Sequence, residues 1–134
     1  MIKLLAAVMM LAPIWAIAPS LPRAEAAELV MFEQEGCVWC AKFNAEIAPG
    51  YAKSDEGRIA PLRRVDINDD IPADLSGIPV ERFTPTFVLV ENGEEVGRIR
   101  GYPGSEFFWF LVDDLIAMLP EQEKTSVPAK SPAL

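Results

Sequence analysis

The two cysteines of this 134-residue chain stand as Cys37-Val38-Trp39-Cys40, directly after the apolar run Leu29-Val30-Met31-Phe32. Two thiols separated by two residues, at the end of a strand and the start of a helix, have the spacing of a reversible redox disulfide. The first helical turn offers unpaired N–H groups and the positive end of the helix dipole, and both favour a thiolate on the leading cysteine. Cys37 is therefore the expected nucleophile. Cys40, one turn further in, is expected to be buried and to resolve a mixed disulfide formed at Cys37.

Other uses of two close thiols fit the sequence less well. A bridge between positions this close closes a very small loop and gains little chain-entropy stabilisation, so it makes a poor staple. Zinc wants four ligands, and the chain has no histidine and no third cysteine. Apart from the first residues of the chain, its methionines reduce to Met31 and Met118, which is no basis for a thioether copper site. No cofactor or metal is expected. A permanently oxidised bridge in a redox-silent binding or regulatory module stays open as an alternative.

The surrounding pattern supplies elements that could hold such a pair. Glu28–Phe32 reads as a buried first strand, and Glu33-Gln34-Glu35-Gly36 as the loop that delivers the cysteines. A helix is expected from Val38 to about Lys53, kinked or ended at Pro49-Gly50, with Ser54-Asp55-Glu56-Gly57 as a polar turn. Leu62–Ile67 is a second strand, followed by a short helical turn near Pro72–Leu75. Phe83-Thr84-Pro85-Thr86 leads into a third strand, and Asn92-Gly93 turns it back as a hairpin into Glu95–Arg100. Ser105 is placed to cap a last helix running to Leu119, with Phe107, Phe108, Phe110, Leu111, Leu115 and Met118 or Leu119 on its apolar face. The order is strand, helix, strand, short helix, strand, strand, helix. That is an α/β fold in three layers, α/β/α, around a mixed sheet of about four strands.

The ends read differently. Lys3, the apolar stretch Leu4–Ala18 and Ala24-Glu25-Ala26 have the layout of an export signal over residues 1–26, cut before Ala27. Retention as an anchor is the alternative, but the stretch is shorter than the roughly 20 apolar residues a spanning helix needs and contains Pro13. Residues 27–119 form the domain, and the Pro-, Ser- and Lys-containing segment 120–134 reads as a disordered tail. Removal of residues 1–26 takes away Lys3 and Arg23 against Glu25 alone, so the mature chain is more acidic than the precursor's net −8. Such a domain repels nucleic acid and anionic lipid, and after cleavage no stable membrane insertion is expected.

With the cysteine pair between a strand and a helix, and Thr84-Pro85-Thr86 opening a later strand, the chain resembles thioredoxin-fold proteins from about Glu28 to Leu119. Glu35-Gly36-Cys37-Val38-Trp39-Cys40, Ile47-Ala48-Pro49, Ala60–Asp66, Phe83–Phe87 and Gly101-Tyr102-Pro103-Gly104 together are similar to periplasmic thioredoxins associated with bacterial sulfur-oxidation (Sox) systems. The resemblance implies a cis peptide bond before Pro85, and Thr84 backbone groups offered to a bound peptide strand. It also implies a periplasmic thiol–disulfide oxidoreductase. Electrons would come from a membrane thiol transporter and pass to disulfide-containing periplasmic proteins.

Against cytoplasmic thioredoxins the chain departs at three places. Val38-Trp39 replaces Gly-Pro, Gly36 replaces a tryptophan, and Met31 occupies the strand position where those proteins bury an aspartate that moves protons at the second cysteine. Glu33 could take that proton role through a water, or be a solvated acid. Val38 and Trp39 are the expected partner-facing residues between the thiols, with covering the helix end as the other reading of Trp39. Neither carries charge, and Glu33 and Glu35 disfavour an anion, so a reductase is the expected direction. An oxidant or isomerase of the same fold is the other reading.

Overall fold

The computed structural model of the protein describes residues 26–121 and 124. Residues 1–25 of the expected export signal, and nearly all of the expected tail, lie outside the described residues. Four strands, β1 (Glu28–Glu33), β2 (Leu62–Asp66), β3 (Thr86–Glu91) and β4 (Glu94–Arg100), form one mixed sheet in the order β2-β1-β3-β4. β1 runs parallel to β2, with Leu29 opposite Leu62, and antiparallel to β3, with Met31 opposite Phe87. Asn92 and Gly93 turn the β3–β4 hairpin with positive φ at both positions, as an Asn-Gly turn requires.

β1 is a short apolar run because both its faces are covered. Leu29 and Met31 pack with Phe43, Phe87, Phe108 and Val112 on the face that carries the helices. Val30 and Phe32 pack on the other face with Val65, Leu75, Ile78 and Val88. That second layer is thin, built around a single 3-10 turn at Ala73–Leu75 where the sequence predicts a short helical turn.

The helices depart from the sequence reading in informative ways. The helix after the cysteines, α1 (Val38–Glu46), stops at Ile47, and Pro49 sits in the first turn of a separate short helix, α2 (Ala48–Tyr51). Proline lacks the N–H that continuing α1 would need but fits an opening turn. The predicted polar turn at residues 54–57 is instead the start of α3 (Asp55–Ile59). Ser54 Oγ accepts the Gly57 N–H at 2.9 Å, with acids in the first turn and Arg58 in the last. Gly57 is required there, since a Cβ would come within 1.9 Å of the Tyr51 carbonyl oxygen.

In the last helix, α4 (Ser105–Ala117), Gly104 rather than Ser105 occupies the capping position, and no side chain caps it. The buried stripe is Phe108, Val112, Leu115 and Ile116, at helical spacing. Phe107 and Phe110, expected on the apolar face, are exposed, and of the alternatives Met118 and Leu119 it is Leu119 that is buried. The apolar character of Phe107 and Phe110 pointed to the core, but the phase set by Phe108 against Phe43 and Phe87 turns them outward. Trp109 is half-buried and stacks on Tyr51. Among the described residues no helix is long and apolar enough to cross a membrane.

Candidate active site

The end of β1 and the start of α1 place the cysteines. After Glu33 the chain turns through Gln34–Gly36, with Gly36 at φ 76° and the Cys37 N–H donating to the Gln34 carbonyl at 3.3 Å. This left-handed step suits glycine. Cys37 lands on the cap of α1 in an extended conformation, and its Sγ accepts the Cys40 N–H at 3.1 Å. A sulfur thus takes one of the free donors of the helix start, as a serine or aspartate cap does elsewhere.

Cys37 and Cys40 are joined in a disulfide, with Cα atoms 5.2 Å apart. The two sulfurs differ in access: Cys37 is half-buried, whereas Cys40 is 3% exposed within the core of the helical face. Val38 and Trp39 between them are exposed, at 77% and 54%. Lys42 Nζ lies 5.6 Å from the Trp39 ring centroid, a cation–π contact along the helix surface.

The second loop of the site precedes β3. The Thr84–Pro85 peptide bond is cis. Pro85 is buried, and its carbonyl accepts the Gly101 N–H at 2.7 Å. The fully buried Thr86 hydroxyl donates to the Phe83 carbonyl at 2.6 Å, which folds Phe83 outward to 58% exposure. Gly101, at φ 83°, lies under the Phe83 ring, and a Cβ there would stand 3.3 Å from the ring's edge. Gln34 Nε2 donates to Thr84 Oγ1 at 3.0 Å and so ties the cysteine loop to the proline loop across fifty positions of sequence.

Two open grooves flank the pair. One, of about 360 Å³, is lined by Cys37, Val38, Cys40, Asn44, Glu33 and Gln34 among others. The other, of about 220 Å³, lies between Trp39, Phe83, Thr84, Arg100, Tyr102 and Pro103. Trp39 and Thr84 thus share one groove, and Val38 and Glu33 share the other with the cysteines. Tyr102 is buried, and its hydroxyl donates to Glu46 Oε2 at 2.6 Å, fastening the end of α1 to the segment after β4. Burial, reinforced by that carboxylate, pushes the Tyr102 phenol well above its usual range, so it stays protonated.

The charges near the pair are largely matched. Glu33 lines the first groove, but its two oxygens are gripped by Arg64, Nε at 2.7 Å and Nη2 at 2.5 Å. The bidentate pair raises the Arg64 guanidinium, chiefly through the Glu33 hydrogen bond. Met31 is fully buried next to Phe87, so no acid lies at that position of the strand. Among the described residues no group of three His, Cys, Asp or Glu side chains is placed to hold a metal ion.

Three residues that line or tie this site escape a reading of the sequence. Gln34 owes its place to a contact across the fold, and Phe83 to the Thr86 hydroxyl together with Gly101 beneath its ring. Asn44 could have been found, because it stands four residues after Cys40 on the same helix face.

The chain is similar to the periplasmic thioredoxin SoxS from Paracoccus pantotrophus, known from a crystal structure of its reduced form, with 49% sequence identity and a TM-score of 0.64 over 69% of this chain and 97% of that one. The chain matches no protein-family model and no curated protein.

Proposed function

The chain belongs to the thioredoxin-fold family as a thiol–disulfide oxidoreductase similar to SoxS, and we propose that it is a periplasmic reductase of protein disulfides. The observation that carries the exchange chemistry is the unequal access of the two sulfurs, Cys37 reachable at the helix cap and Cys40 almost fully enclosed. In the dithiol form, the Cys40 N–H that now reaches Cys37 Sγ and the helix start favour the Cys37 thiolate. That thiolate attacks one sulfur of a partner's disulfide and displaces the other as a thiolate, leaving a mixed disulfide at Cys37. Cys40 then gives up its proton and attacks Cys37 Sγ. The partner leaves as a dithiol once solvent protonates it, and the Cys37–Cys40 bond forms. Two electrons have passed to the partner.

The reducing direction is supported by the lack of charge at Val38 and Trp39, and by Glu35 in the loop before Cys37. Little stabilises the thiolate beyond one hydrogen bond and the helix start, and a dithiol so placed gives up its electrons readily. The periplasmic setting follows the similarity to SoxS and the export-signal pattern of residues 1–26. Reducing equivalents come from a membrane thiol-electron transporter. Disulfide-containing periplasmic proteins dock with an extended segment along Thr84, between the apolar surfaces of Trp39 and Phe83.

A Cys40→Ala variant tests this chemistry. Mixed with a disulfide-containing protein, it is expected to accumulate a covalent complex through Cys37 that dithiothreitol dissolves. A clean absence of that complex contradicts the reading. A reduction potential of the native protein well above about −150 mV would favour the oxidant instead.

A further inference from the structure

Asn44 Oδ1 is buried and has no hydrogen-bond partner among the described residues. Buried polar atoms are nearly always bonded, so an orphaned acceptor beside a redox pair calls for a reason. Asn44 lies four residues after Cys40 in α1, and helical side chains lean toward the N-terminus, which brings its carboxamide back toward Cys40. Both residues line the same groove. In the disulfide state Cys40 has no S–H to give. In the dithiol state it has one, and it is buried at 3% exposure among apolar neighbours.

We infer that Asn44 is a positioning residue that reads the redox state: its Oδ1 accepts the Cys40 S–H in the dithiol form and loses that partner when the disulfide forms. This rests on the thiol–disulfide exchange described above. In exchange with glutathione, two glutathione thiols supply two electrons and become one glutathione disulfide. The Cys37–Cys40 bond breaks, and the two protons finish on Cys37 and Cys40. The acceptor is satisfied on the dithiol side only, so Asn44 weights this equilibrium toward the dithiol. A buried carboxylate would do this with charge. A carboxamide does it without adding a negative group beside the thiols.

The experiment is a glutathione redox titration of the native chain, Asn44→Leu, Asn44→Ala and Asn44→Asp, with the S–H infrared band of Cys40 recorded in reduced Cys37→Ser protein. Removing the acceptor is expected to move the exchange constant three- to tenfold toward the disulfide, a fall of about 15–30 mV. Asn44→Asp keeps an acceptor oxygen and is expected to hold the constant at or on the dithiol side of native. The S–H band is expected at the position of a bonded thiol, shifting to the unbonded position in Cys37→Ser, Asn44→Ala. An unbonded band in Cys37→Ser alone overturns the inference, whatever the Asn44 variants do. Equal constants for native and Asn44→Ala, or a fall in Asn44→Asp matching that in Asn44→Ala, overturn it as well. The reductase reading fails separately, if the native potential falls in the range of strong oxidants while the difference at Asn44 persists.

Discussion

Phe43, Phe87 and Phe108 meet in the helical layer with ring centroids 4.8–5.2 Å apart, whereas Trp39 and Phe83, of the same residue class, stand open at the rim of the redox site. The first group is fixed by packing from several sides and holds α1, β3 and α4 against one another. The second is held by backbone: a helix cap under Trp39, and the Thr86 hydrogen bond and Gly101 beside Phe83. In this molecule the packed layer carries stability and the rim carries chemistry. The two are joined at few points, chiefly Cys40 and Tyr102.

That division can be broken from either side. Cys37→Ser should abolish disulfide reduction outright while leaving the far-ultraviolet spectrum of the reduced protein unchanged; any sizeable residual turnover would move the chemistry elsewhere. Phe108→Ala should cost about 3–5 kcal/mol in urea unfolding, with the exchange constant of the folded fraction unaltered. A shift in that constant would show the core and rim to be coupled more widely than Cys40. Tyr102→Phe removes the bond to Glu46 and should cost about 1–2 kcal/mol, an intermediate effect for a residue that belongs to both regions.

Trp39→Ala should change stability by no more than about 0.5 kcal/mol and raise the KM for a protein disulfide several-fold, leaving reduction of a small disulfide as fast as before. The smallest effect is in the acid limb. Hydrogen bonds from Arg63 and Arg100 hold the Asp74 and Glu81 carboxyls below their usual values. Their contribution is present above the unfolded carboxylate pKa and lost as pH falls through the lower folded values. Asp74→Asn with Glu81→Gln should therefore flatten the acid side of a stability–pH curve and leave the site's exchange constant alone.

The same contrast governs how much was legible in the sequence. Strand β1 and its two covered faces, the Asn92-Gly93 hairpin and the helix start at Cys37 follow from local pattern, because run length, turn residues and spacing are set over a few positions. The thioredoxin-like α/β architecture was legible from those elements taken with the cysteine pair and Thr84-Pro85-Thr86. The phase of α4 was not, since five apolar residues crowd Phe107–Leu111 and only the packing of Phe108 selects among them. α3 was missed because Ser54-Asp55-Glu56-Gly57 serves as well for a polar turn as for a capped helix start. At the site, Cys37 and Cys40 could be read directly. Gln34 could not, because its role depends on a loop fifty positions away, nor could Phe83, whose ring is set by the Thr86 hydroxyl and by Gly101. Glu33 was legible as an acid near the pair, but the grip of Arg64 from the neighbouring strand was not.

The most direct test is the redox state of Cys37 and Cys40 in living cells, fixed by acid quench and counted by alkylation with a mass-shifting thiol reagent. A pair held mainly as dithiol in an oxidising compartment is the predicted result, since a reductase must be kept supplied with electrons. A pair found fully oxidised would contradict the account and leave an oxidant or a redox-silent module in its place.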